Sequence, residues 1–468
     1  MTARFRFAAT YADAARVPFW LDRPRPFDEQ PPLTGDATCD LVVVGGGFTG
    51  LWTALEAKEA NPGRDVVLLE QGEIAGAATG RNGGFCMASL THGLSNGAER
   101  WPDQMPELER QGLANLAGIE DAVDRYDIEC DWRRSGELLL ATKPWQIDGL
   151  REAVAHAATF GRTLRFLDRD QVAEEVRSPT YLAGFWDLEG AAMLDPARLA
   201  WGLAAACLRL GVRIHERTAA TALEKDGSGV CVRTADGSVR AAHVALGTNA
   251  FPSLVRRVRP FVVPVYDYVL ATEPIPAERW TEIGWASRAG LADAGNRFHY
   301  YSRTDDDRIV WGGFDAIYHY GNGIRPEHDQ RDATFDVLAG HFFTTFPQLE
   351  GTRFSHTWGG AIDTCTRFSP FFGTALGGRA AYALGYTGMG VGASRFGARV
   401  MLDKLAGTDT ERTRLALTQR KPVPFPPEPL KWAGITLTKR GLAHADEHDG
   451  KRNLWLRSLD RLGVGFDS

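Results

Sequence analysis

Leu41-Val42-Val43-Val44-Gly45-Gly46-Gly47-Phe48-Thr49-Gly50, followed by Val66-Val67-Leu68-Leu69-Glu70, reads as a buried strand, a glycine turn, a helix and a second strand closed by an acid. Gly45 permits the tight turn, Gly47 lets a backbone approach a pyrophosphate, and Gly50 lets the helix lie close to the strand. The helix start at Phe48 and Thr49 offers N–H groups and a positive dipole end to phosphates. Glu70, with Gln71 beside it, falls about twenty residues past the last glycine, where a carboxylate can accept from ribose hydroxyls. A glycine triplet alone often marks only a hairpin or a cap. Strand, helix and terminal acid in this order point to an adenine dinucleotide, and leave NAD and FAD both open.

Outward from this motif, 468 residues with 44% apolar content suffice for two or three domains with sizeable cores. The net charge of −6 is spread over both signs, so no basic run argues for nucleic acid. The densest basic spot, Arg256-Arg257-Val258-Arg259, reads as a solvated loop. Six cysteines without a C-x-x-C pair indicate neither a disulfide scaffold nor a metal site, and read as the buried free thiols of a cytoplasmic protein. No apolar run reaches the roughly eighteen residues of a membrane span. The arm 1–38 is proline-containing and unlike a secretory signal; its Pro18-Phe19-Trp20-Leu21 is expected to dock on the body.

The expected fold is α/β plus α+β: a discontinuous Rossmann-type domain (39–100, 191–255, 356–410) and a β-rich antiparallel substrate domain (101–190, 256–355). Residues 411–468 form an extension, read as a Pro-rich connector and a short helix over Leu454 to Leu462. Its end, Leu462 to Ser468, could dock on the body or mediate subunit contact. Leu108, Leu113 and Leu116 recur at helical spacing. Asp305-Asp306-Asp307 leads into Ile309-Val310-Trp311 as the turn of a hairpin.

Five segments together resemble the D-amino-acid oxidase family of FAD-dependent amine oxidoreductases, over about residues 38 to 410. They are the glycine turn with Glu70; Gly76-Ala77-Ala78-Thr79-Gly80-Arg81-Asn82-Gly83-Gly84; Thr218-Ala219-Ala220-Thr221; Gly247-Thr248-Asn249; and Gly385-Tyr386-Thr387-Gly388-Met389-Gly390. The resemblance implies that Thr79 to Gly84 run beneath flavin and pyrophosphate, and that a strand edge at Ala220 meets the adenine. It also implies that Gly247 and Thr248 close over the cofactor. Gly388, Met389, Gly390 and Val391 then aim a helix N-terminus at the flavin pyrimidine ring, where reduced flavin carries negative charge. In relatives that attach flavin covalently, the linking cysteine falls at about Gly360. With glycine there, FAD is expected to be noncovalent, Cys86 and Cys365 being the thiols that bear on this. No metal is expected.

The implied chemistry is hydride transfer from an amine's α-carbon to flavin N5, imine hydrolysis, and reoxidation by O2 to give peroxide. In the α-amino-acid branches, an arginine clamping the substrate carboxylate lies in a segment matching Trp358 to Pro370. Here Ile362 stands at the arginine's position and Arg367 at that of an aspartate. Isoleucine cannot replace a bidentate guanidinium. The departure favours an amine without an α-carboxylate, or one whose acid is bound elsewhere; the Arg-Asn-Gly-Gly loop and N-terminal arm point the same way, resembling the branch that includes γ-glutamylputrescine oxidase. An amino-acid oxidase with Arg303 or Arg367 replacing the missing clamp, a dehydrogenase on the same fold, and a flavoprotein subunit passing electrons to another acceptor remain alternatives. Oligomeric state is open. Pocket candidates come from the β-rich insert: His299, Tyr301 and Arg303 share one face of a strand opposite Phe298, Tyr300 and Ser302, and Tyr266 lies on a neighbouring strand. These aromatics could attract an ammonium through cation–π contact, or simply pack the sheet.

Overall fold

The structure, a computed structural model, describes residues 5–464. Residues 1–4 of the arm and 465–468 of the tail lie outside the described residues.

An eight-stranded sheet grows from the glycine motif. Its spatial order is Phe371–Ala375, Ala380–Leu384, Gly237–Leu246, Gly35–Val44, Val66–Leu69 and Arg213–His215, with Gly229–Arg233 and Ala222–Asp226 added beside Gly237–Leu246. Gly35–Val44 runs parallel to both of its neighbours. Its apolar run is continuous because both faces are covered. Leu41 and Val43 pack beneath the helices Phe48–Ala60, Pro196–Arg209 and Gly390–Ala406, while Val42 and Val44 join Val67, Val230 and Val244 on the other side.

A nine-stranded sheet forms the second body, in the order Ile317–Tyr318, Val263–Thr272, Ile309–Gly313, His299–Arg303, Gly290–Asp293, Glu137–Ala141, Ala183–Asp187 and Arg165–Leu167. Its ninth strand, Phe354–Thr364, also pairs with Val263–Thr272. The sheet is antiparallel except where Gly290–Asp293 meets Glu137–Ala141. The helix Asp332–Thr345 covers one face with Phe335, Leu338 and Phe342. The other face looks back toward the glycine motif.

Two segments fall elsewhere than the expected boundaries. Residues 356–364, assigned by sequence to the cofactor segments, lie within Phe354–Thr364, which pairs with Val263–Thr272 from Phe354 through Thr364; the chain returns to the first sheet only afterwards. The helix Met105–Arg125, assigned to the substrate domain, buries Leu108, Leu116 and Ile119 in the first sheet's core.

The arm docks as expected. Phe19 and Trp20 are buried, and Leu21 packs against Gly80. Arg25 pairs with the buried Glu216 at 2.6 Å. The extension holds more helix than its sequence suggests: Leu430–Glu447 precedes Leu454–Arg461. Gly434 and its threonines weaken a helical reading, and tertiary anchors supply the order. Asp446 accepts from Asn296 and Arg297, and Glu428 accepts from Tyr318 O–H at 2.5 Å. At the tail, Gly463 O accepts from Arg100 at 2.7 Å.

Candidate functional site

The first glycine turn is built by close approach. Gly45 has φ +110°, and a Cβ on it would stand 2.5 Å from Gly247 O. A Cβ on Gly50 would overlap Gly45 O, and one on Gly47 would lie 2.8 Å from Thr79 Oγ1. Gly47 brings no side chain to cap the helix Phe48–Ala60. Instead Phe48 N–H donates to Thr79 Oγ1 at 3.1 Å. Glu70 accepts from Gly46 N–H at 2.6 Å and from Gly72 N–H at 2.7 Å. Burial pushes its carboxyl up while those N–H groups hold it down. Lone pairs are left over on the carboxylate for a further donor.

Thr218 to Thr221 do not form the expected strand edge. They are a loop between Arg213–His215 and Ala222–Asp226, entered through Arg217 at φ +49°. Thr218 N–H donates to Glu70 O at 2.7 Å, which keeps this loop, and Ala220 with it, beside the Glu70–Gln71 turn. Gly247 N–H donates to Val44 O at 2.9 Å. Among the described residues the buried Thr248 hydroxyl has no protein partner.

The second glycine loop is fastened at many points. Asn82 Nδ2 donates to Thr79 O at 2.7 Å, and its Oδ1 accepts from Gly84 N–H at 2.9 Å. Trp20 donates to Asn82 O at 2.7 Å and Trp358 donates to Arg81 O at 2.9 Å. Arg81, expected to touch the cofactor, spends its guanidinium on protein: it donates to Gly76 O, Gly359 O and Asp329. That fastens the loop to the nine-stranded sheet. The Arg81 side chain packs over Gly360, where a Cβ would lie 3.3 Å away, and the Tyr300 ring would stand 2.6 Å from a Cβ on Gly83.

The last turn is held by a residue that sequence reasoning passed over. Asp363 is 1% exposed and accepts from Gly385 N–H at 2.6 Å. Its carboxyl is pushed up to about 7 by burial, against the pull of the Gly385, Tyr386 and Thr387 N–H groups. This turn carries positive φ at Gly385, Thr387 and Gly388. A Cβ on Gly388 would meet nothing within 4 Å, and Met389 starts the helix Gly390–Ala406 without a side-chain cap. Its sequence signal was an acid closing a strand just before a turn.

The pocket candidates need correction. His299, Tyr301 and Arg303 do share a face, but it is the one beneath the helix Asp332–Thr345. Tyr301 is fully buried against Trp311, with its hydroxyl 2.6 Å from that of Tyr181. Arg303 pairs with Asp307 and lies over Trp280. His299 bonds Asp293 at 2.5 Å and His341 at 3.0 Å. None of the three lines the cavity described below. Tyr266 reaches it only in part, its ring being set edge-on to His319 and His328. The alternation was read correctly and its phase was not, because both faces carry aromatics. The facing set is Asp267, Phe298 and Tyr300. Asp267 was detectable as the one acid inside the apolar run Val262 to Thr272.

A cavity of about 1540 Å³ joins these parts, lined by Gly47, Gly83, Asp267, Tyr300, Ile362 and Gly388 among others. That exceeds the roughly 300–1,000 Å³ typical of one small ligand, leaving space for a dinucleotide and a substrate. The helix Leu430–Glu447 contributes Gly434, Ile435 and Leu442 to its wall. The arginines that line it are engaged: Arg81 as above, Arg162 by Glu109 and Asp187, and Arg297 by Asp446. Arg367, considered as a relocated clamp, is 5% exposed and gives its guanidinium to the carbonyls of Ser369, Pro370, Leu417 and Arg420. The closely approached glycines, the two helix starts without side-chain caps, the open Glu70 lone pairs and the unpartnered Thr248 hydroxyl fit a flavin dinucleotide.

Residues 40–404 match the family model described as DAO, FAD dependent oxidoreductase. The γ-glutamylputrescine oxidoreductase of Escherichia coli is 32% identical over 401 residues, covering 83% of this chain and 87% of that one. Glycine oxidase from Geobacillus kaustophilus superposes with a TM-score of 0.66 at 17% identity, over 82% of this chain and 99% of that one. L-amino acid deaminase from Proteus vulgaris, with its specific insertion deleted, gives 0.67 at 18% identity, over 84% and 97%. The last two likenesses speak for the fold alone.

Proposed function

This chain belongs to the DAO family of FAD-dependent oxidoreductases, and from that premise we propose that it oxidises the C–N bond of an aliphatic amine lacking an α-carboxylate. The observation that carries this reading is the charge on the cavity wall. Ile362 lines the cavity where the resemblance implies a carboxylate clamp, each lining arginine already has an acidic partner, and acids line the wall, Asp267 among them. A guanidinium bound by protein acceptors is a poor clamp for a substrate carboxylate, because releasing it leaves those acceptors unpaired. An acid on the wall suits a cation.

Bound FAD supplies the hydride acceptor, and O2 as final acceptor gives peroxide with the aldehyde and ammonia or amine left by imine hydrolysis. The protein's part is position and dryness. Tyr300, Phe298, Val265 and Ile362 wall the substrate end, and the extension's Ile435 and Leu442 restrict water from the side. The FAD is proposed to be noncovalent: Cys86 is sealed in the core, and Cys365 turns its thiol toward Ser369 O and Gly385 O. Acid precipitation that leaves the yellow colour in the supernatant checks this. A cytoplasmic location suits six cysteines that are all free thiols.

Anaerobic bleaching of the flavin against a panel of polyamines, secondary amines and α-amino acids tests the reading. Rapid bleaching by amines without an α-carboxylate is the expected outcome; bleaching by α-amino acids alone overturns it.

A further inference from the structure

Asp267 lies in the strand Val263–Thr272 with Val265 and Val269 on the same face, and its register partner across the sheet is Gly360. It therefore stands directly under the second glycine loop, between the Arg81 side chain that covers Gly360 and the Tyr300 ring that covers Gly83. Three donors already order it. Tyr300 O–H donates to Oδ2 at 2.5 Å and Tyr268 N–H to Oδ1 at 2.8 Å, with Gly313 N–H as the third. A carboxylate offers about four lone-pair sites, so one remains for the cavity. Among the described residues no lysine or arginine forms an ion pair with Asp267. A charge withdrawn from water without a protein cation is costly unless a ligand supplies one.

We propose that Asp267 holds the ammonium of the substrate and takes its proton before oxidation, with Tyr300 as a positioning residue. The inference rests on the amine reading above. In the step, one N–H bond of the ammonium breaks, an O–H bond forms on Asp267, and the nitrogen keeps the electron pair. The neutral amine is the form whose α-carbon can release hydride, and the proton passes on to water.

The groups packed against Asp267 do not compete for this task. Tyr300 points its proton at the carboxylate and is pushed far up by burial and by Asp267. His299 lies on the opposite face, between Asp293 and His341. Arg81, from the loop above, is committed to Asp329. Burial pushes the Asp267 carboxyl up to about 6, with the Tyr300 hydroxyl, the two N–H groups and His299 pulling it down. The anchoring form thus prevails above about pH 6 and fades below it.

Two probes separate binding from turnover: tert-butylamine, which has no α-hydrogen and binds without reacting, and n-butylamine. With FAD content and visible spectrum unchanged, Asp267→Asn is expected to raise the Kd of tert-butylamine roughly 10- to 100-fold, the loss of one charged hydrogen bond. Its kcat/KM for n-butylamine should fall ~100-fold or more and lose the acid limb near pH 6. Tyr300→Phe should move that limb to higher pH, since the donor that lowers Asp267 is gone. Wild-type binding of tert-butylamine by Asp267→Asn, or an acid limb that stays in place, overturns the proposal. So does loss of FAD from Asp267→Asn, which would make the acid part of the cofactor site. Failure of every amine to bleach the wild-type flavin would instead sink the amine reading itself.

Discussion

The two faces of the nine-stranded sheet are built from nearly the same residue types and do different work. Beneath the helix Asp332–Thr345, Tyr266, Tyr268, Tyr301 and Trp311 interlock with Phe335, Phe342 and Phe346, and the three tyrosine hydroxyls find protein partners. On the cavity side, Tyr300 is flanked by Gly83 and Gly312, which have no side chain to compete for its space. What distinguishes the faces is the company each aromatic keeps. Rings among rings make a core; a ring among glycines, beside a carboxylate, makes a wall. If this is right, the same chemical change should cost stability on one face and kinetics on the other.

The largest effect is expected at Trp311. It is fully buried and contacts His299, Tyr301 and Phe342 with ring centroids at 4.7, 4.4 and 5.6 Å. Trp311→Ala should cost about 3–5 kcal/mol, seen as a lower denaturation midpoint, while folded protein keeps its FAD and its order of preference among amines. A changed preference would erase the distinction between the faces.

Asp363, where the strand Phe354–Thr364 leaves the sheet for the cofactor turn, should come next. Its folded carboxyl titrates near 7, above the ordinary value of 3.8. The folded state therefore keeps a proton that the unfolded chain sheds, so its contribution is complete below about pH 4 and is lost as pH rises through 7. The slope is at most roughly 1.4 kcal/mol per pH unit within that window. Asp363→Asn keeps an oxygen for Gly385 N–H and should flatten this fall between about pH 4 and 7. Equal pH profiles for both proteins would assign the loss to other groups.

Much of the cofactor cradle was legible because backbone geometry dictates it. Only glycine tolerates Gly45 beside Gly247 O or Gly50 beside Gly45 O, so the requirement is written in the residue type. The substrate side was legible only to the level of alternation. Shifting the phase of a strand exchanges its faces, and His299-Tyr300-Tyr301-Ser302 carries rings in both phases. The helix Leu430–Glu447 was missed for a related reason, since its order comes from Asn296, Arg297 and Tyr318, contacts remote in sequence. Arg81 had the right address and a different task, because a loop sequence does not disclose what sits above it.

Tyr301→Phe is a milder probe of the same contrast. It removes a hydroxyl bonded to Tyr181 at 2.6 Å and leaves the ring in place. About 1–2 kcal/mol of stability should go, and the pH profile of kcat/KM should stay where it is, unlike that of Tyr300→Phe. A shifted profile would return Tyr301 to the chemistry.

The smallest change expected is also the most discriminating. Ile362 faces the cavity opposite Val265, one diagonal step from Asp267 across the strand pair Asp267–Gly360. Such diagonal neighbours are about 7–8 Å apart, within reach of a long side chain. Ile362→Arg should therefore not create an amino-acid oxidase at once. The new guanidinium would fold onto Asp267, lowering kcat/KM for amines about tenfold, close to one charged hydrogen bond at ~1.4 kcal/mol. Only with Asp267→Asn added is the guanidinium free to clamp a substrate carboxylate. Binding of α-amino acids, read as a perturbation of the flavin spectrum, should then tighten in the double variant and not in either single one, with turnover still low because the proton acceptor is gone. Gain by Ile362→Arg alone would mean that Asp267 does not command that part of the wall, and the contrast between an acid-bearing and an arginine-bearing pocket would rest on residue 362 by itself.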